Sequence, residues 1–227
     1  MRFPTALALA FALTFTAGAQ TAPVPKKIPT QGISLTDADR AELTAGTTAL
    51  RTEIDALARD TTVAALLPDV EIFHKAVAWA LADDTFYSPK EIAFAKHLLA
   101  VGRERAAALR AGKTPWLEAT GTIIRGYRST LDDSVQPYAL VVPAAWKRTA
   151  TPATATSPAI PVPARRLDVV LAGRNEKRTE LAFIAEREKS PGEIVPADAI
   201  VLHPYGRFCN ATKFAGEFGG VAEAAVG

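Results

Sequence analysis

Two short glycine-containing loops hold the groups best suited to chemistry. Gly173-Arg174-Asn175 follows the apolar run Leu167-Asp168-Val169-Val170-Leu171-Ala172, and His203-Pro204-Tyr205-Gly206-Arg207-Phe208-Cys209-Asn210 follows Ala199-Ile200-Val201-Leu202. Glycine lets backbone N–H groups approach a bound group closely, and fixed N–H donors stabilise the negative charge that forms on a carbonyl oxygen during acyl transfer. Gly173 reads equally well as a simple turn after a strand. Cys209 with His203 has the makings of a thiol nucleophile and its base, but a lone cysteine beside Phe208 is better read as a packed small apolar residue. Arg174, Arg207 and Lys213 have the charge to bind a carboxylate or phosphate, although isolated cations of this kind are mostly solvated surface groups. Asn210-Ala211-Thr212 fits the Asn-x-Ser/Thr glycosylation pattern, a match too short to carry weight by itself.

The elements around these loops predict how they meet. Leu167–Ala172 reads as a strand covered on both faces, the stretch from Thr179 through Leu181, Ile184 and Ala185 to Glu188 as a helix, and Ala199–Leu202 as a second buried strand after the turn at Pro191-Gly192. Strand, loop, helix and strand in this order form a βαβ unit with parallel strands and a right-handed crossover. Ligands in such sheets lie beyond the carboxyl ends of the strands, so Gly173-Arg174-Asn175 and His203 to Asn210 are expected to face one crevice.

Upstream, Thr120–Arg128 and Ser134–Val142 are rich in β-branched residues and flank the turn Leu131-Asp132-Asp133, which predicts a hairpin. Tyr127 and Tyr138 are expected to pack within it, and Pro137 predicts a strand paired on only one side near its start. The region 34–112 is helical in pattern. Thr36 caps a first helix carrying Leu43, Leu50, Ile54 and Leu57 to about Asp60; Pro68 opens a second that frays at Asp83-Asp84; Ser88-Pro89-Lys90-Glu91 forms a capping box for a third, ended by Gly112. His74 and His97 lie within these helices and read as ordinary partly buried or surface histidines.

The flanking and inserted segments are of another kind. Residues 1–19 have Arg2, an apolar run from Ala6 to Phe15 and the small residues Ala17-Gly18-Ala19. That is the pattern of a secretory signal, and a run of about ten residues is too short to span a bilayer, which needs about twenty. Residues 20–33, with Pro23, Pro25 and Pro29, read as an extended spacer, and 147–164, mostly Ala, Thr and Pro, as a mobile surface insertion between sheet elements.

The segments GTIIRGYRSTLDDSVQPYALVVPAAW, RLDVVLAGRNEKRTEL and AIVLHPYGRFCNATKFAGE, within Ala119 to Glu217, resemble the opening of the catalytic domain in secreted bacterial α/β-hydrolases of the prolyl oligopeptidase and esterase group. The resemblance implies that Gly173 and Arg174 lie in the oxyanion loop, with the partner N–H following the nucleophile. It makes His203, Tyr205, Arg207 and Asn210 the substrate-facing residues of the second loop, and an ester or peptide the substrate. Relatives of this group often have a histidine where this chain has Ala172. The expected fold is α/β: an N-terminal helical region at 34–112, then an incomplete hydrolase-type mixed sheet of about four strands at 113–227, with one face and one edge uncovered and open to self-association.

No serine among Ser34, Ser88, Ser129, Ser134, Ser157 and Ser190 sits between glycines in a Gly-x-Ser-x-Gly elbow, and the acid and histidine that should follow one are also missing. The chain therefore reads as a secreted or periplasmic hydrolase front half, inactive alone, cut before its nucleophile. The alternative is a non-catalytic periplasmic module whose helical region meets a partner. A formal charge of +2 from 26 basic and 24 acidic residues gives no stripe for nucleic acid, one cysteine excludes an internal disulfide, and three histidines without a close ligand cluster predict neither metal nor cofactor.

Overall fold

The computed structural model describes residues 29–146, 166–173 and 175–206. The expected leader and insertion, together with Arg174, Arg207, Cys209 and Asn210, lie outside the described residues. The fold is mixed α/β, with four helices and one four-stranded mixed sheet.

Helix α1 (Asp37–Leu57) begins where Thr36 accepts a hydrogen bond from the Asp39 amide at 3.0 Å, and its periodic residues Leu43, Leu50, Ile54 and Leu57 are all buried. Helix α2 (Pro68–Ala82) starts on its proline and stops before Asp84, whose φ of 52° cannot continue a helix. Helix α3 (Pro89–Arg110) forms half of the expected box. The Ser88 hydroxyl makes no capping bond, whereas the Glu91 carboxylate accepts from the Ser88 backbone, as the box requires, and also from the Tyr87 amide at 2.7 Å. Gly112, at φ 68°, closes α3 as expected.

Strands β1 (Gly121–Arg128) and β2 (Val135–Val142) form the predicted antiparallel hairpin in full register. Strand β3 (Arg166–Val169) leads through a loop into helix α4 (Glu180–Lys189), and β4 (Ala199–Pro204) returns parallel to β3. The order is β1-β2-β4-β3, with β4 antiparallel to β2. Pro137 lies one residue beyond the β2–β4 ladder; its carbonyl still accepts from the Tyr205 amide at 3.2 Å, and having no N–H to return the bond it marks the end of that pairing.

Two expectations about the sheet need correction. The run 167–172 is not a strand covered on both faces: β3 ends at Val169, and Val169 and Leu171 are 44% and 42% exposed. Its pairing explains this, because β3 meets only β4 among the described residues and the ladder closes with Val169 opposite Leu202. Nor is a whole face bare. Every residue of β2 and β4 is buried, and since alternate residues point to opposite faces, both faces are covered there.

The helices and the sheet share one apolar core that includes Leu43, Phe73, Phe86, Leu98, Tyr138 and Phe183. Each such side chain contributes about 1.5–3 kcal/mol through burial. The seam also carries buried polar contacts. Asp69 at the start of α2 is buried and accepts from Trp116 Nε1 at 2.9 Å, Arg125 Nε at 2.8 Å and the Gly126 amide at 2.7 Å. No helix among the described residues is long and apolar enough to cross a membrane.

Candidate functional site

The loop after β3 and the end of β4 do open onto one crevice. It has a volume of about 450 Å³ and is lined by Val170 and Ala172 from the β3 loop, Arg178, Phe183, Glu186 and Arg187 around α4, Gly192–Ile194, and His203 with Pro204. Ala172 therefore stands on the wall and Gly173 follows it on the outside, where a Cβ added to Gly173 would meet nothing within 4 Å.

His203 is set by the ladder opposite Ala139 and is 7% exposed. Its Nδ1 lies 3.4 Å from Arg187 Nη1; because a guanidinium can only donate, Nδ1 accepts and the neutral ring carries its proton on Nε2. Burial first, and the Arg187 charge second, push the His203 pKa down to about 4, against a smaller upward pull from the Pro191 carbonyl. The ring is thus neutral at physiological pH and offers an N–H donor rather than a positive charge.

The neighbouring cations come from α4 and its approach. Arg178 Nη2 and Arg187 Nη2 both bind Glu186 Oε1, at 2.5 Å and 2.7 Å. Two guanidiniums share one carboxylate, and Arg187 is 7% exposed. The Nε atoms of both arginines and Nε2 of His203 are buried without a hydrogen-bond partner. Unsatisfied N–H donors of this kind favour an acceptor oxygen, while the charges around the crevice balance, Glu186 and Glu193 offsetting Arg178 and Arg187. Among the described residues no group of three or more His, Cys, Asp or Glu side chains could hold a metal ion.

Of the sequence-predicted site residues, His203 lines this crevice, and Gly173 lies just beyond its wall, next to Ala172. Tyr205 does neither. It is 3% exposed, its ring packs 5.5 Å from Phe183, and it lines a separate cavity with Pro29, Trp79 and Gln136. The reason is that β4 ends at Pro204, so Tyr205 lies beyond the strand and does not keep the facing that alternation would give it alongside His203. Sequence reasoning missed Arg178, Glu186 and Arg187. Arg187 carried a usable signal, since it falls four residues after Phe183 and seven after Glu180, placing two charges on the apolar face of α4.

Comparison with protein-family models, with curated proteins and with solved structures gave no match.

Proposed function

We propose that this chain forms the oxyanion side of an exported serine hydrolase acting on an ester or peptide bond, its serine, acid and base being supplied by residues that this sequence does not contain. The observation that carries the reading is the crevice shared by the β3–α4 loop and the end of β4. In serine hydrolases of this kind one oxyanion donor comes from the loop between the third strand and the following helix, and here that loop holds the unobstructed Gly173. When serine Oγ attacks a carbonyl carbon, the C=O π bond opens and its electron pair moves to oxygen. The Gly173 N–H stabilises that oxygen, and the neutral His203 ring adds an Nε2–H donor nearby. The outer edge of β3, unpaired among the described residues, leaves room for the next parallel strand, on which the nucleophile would follow. Export rests on the leader pattern of residues 1–19.

The test has two parts. The chain alone should remain unlabelled by a serine-directed fluorophosphonate. Joined to the segment encoded by the next βα unit, with its Gly-x-Ser-x-Gly, it should label and hydrolyse a nitrophenyl ester. In that enzyme Gly173→Pro, which deletes the N–H, should lower kcat by about 10²-fold or more, while Gly173→Ala should not. Labelling of the isolated chain, absence of the elbow from the downstream DNA, or an unchanged kcat in Gly173→Pro overturns the proposal. The alternative, a non-catalytic module that binds through its helical region, is favoured by one feature, the 52% exposure of Trp79 on α2.

A further inference from the structure

A second cavity lies between the C-terminal half of α2, the start of β2 and the first turn of α4. Its volume is about 170 Å³, and Trp79, Ala80, Gln136, Glu180 and Tyr205 are among its lining residues. A cavity of about 150 Å³ is enough to take up benzene, so this one suits a single ring.

Its polarity is set by a short relay. Ser134 donates its hydroxyl proton to Asp132 Oδ1 at 2.6 Å, so the Ser134 oxygen must accept from Gln136 Nε2, 2.7 Å away. This orients the Gln136 amide and leaves its Oε1 as an acceptor that is buried and without a partner, on a residue only 3% exposed. Charge does not favour an ion. Lys75 Nζ lies 2.6 Å from Glu180 Oε1, the two neutralise each other, and Asp83 at the rim is already engaged. The aromatic wall is Trp79, whose ring holds the Lys75 ammonium 4.2 Å from its centroid.

We infer that this cavity is a binding site for a small uncharged molecule with one apolar ring and one O–H or N–H donor, the ring against Trp79 and the donor on Gln136 Oε1. A buried acceptor left unmet is costly, and a donor on the ligand satisfies it while the ring leaves water. The inference is independent of the hydrolase reading, because it uses neither the crevice nor Gly173.

Phenol, toluene and anisole serve as probes, being similar in shape and differing in the donor. Each is titrated into the ¹⁵N-labelled full chain while the Trp79 indole and Gln136 amide signals are followed. Phenol should saturate these signals at lower concentration than toluene or anisole, although both of those leave water more readily. Gln136→Met should reverse the order by tenfold or more, and Trp79→Ala should weaken all three. Tighter binding of toluene or anisole to the unmodified chain, an unchanged order in a folded Gln136→Met variant, or no shift with any probe overturns the inference. The phenol and anisole comparison requires no variant.

Discussion

His203 shows how one side chain couples the crevice to stability. An unfolded histidine titrates near 6.5, whereas the folded ring is held at about 4, so between these values the unfolded chain binds the extra proton. Its contribution is therefore complete above about pH 6.5 and is lost as pH falls towards 4, reaching at most about 3 kcal/mol. Urea unfolding of His203→Gln and of the unmodified chain should converge in this range; parallel pH profiles would refute the assignment. At this scale the sequence was informative where backbone and strand ends decide the matter. His203 could be placed because it lies within β4, but Tyr205 could not, since its direction depends on how far β4 runs, and Gly173 lies four residues past the end of a β3 shorter than expected. Arg178, Glu186 and Arg187 form a triad only once α4 has packed, and spacing alone showed a hint of Arg187.

Elements were readable where local chemistry sets them. Thr36, Pro68 and Gly112 mark helix ends through capping, fixed φ and positive φ, effects that operate within a few residues. The errors arose where partners from afar decide. β3 is shorter than the apolar run suggested because only β4 pairs with it among the described residues. Gly126 of β1 illustrates a constraint no periodicity reveals. An added Cβ there would come within 2.1 Å of the Pro68 carbonyl oxygen, a backbone atom at the first turn of α2. Gly126→Ala should destabilise the fold by about 1–3 kcal/mol or more by overpacking, measured by urea unfolding against Gly173→Ala, which meets empty space and should be near neutral. Equal midpoints for the two variants would contradict this packing.

At the scale of the molecule, helices and sheet are joined by buried ionic contacts. Lys75 of α2 donates to Glu180 of α4 and to the Val135 carbonyl of β2, both at 2.6 Å, so one ammonium binds three elements. Lys75→Met strands a buried carboxylate and should cost about 3–5 kcal/mol, whereas Lys75→Met with Glu180→Leu should cost markedly less than the two single changes combined. Strict additivity in a double-mutant cycle would show that the pair does not act as a unit. None of this pairing was visible beforehand, because residues 75 and 180 are related only through the fold. Asp69 extends the same logic to heredity. Its three donors, Trp116, Arg125 and Gly126, all lie past Gly112, so recombination that exchanges the helical half for a foreign one, without an acid in that place, inherits an orphaned guanidinium and indole. The two halves of this gene must drift together.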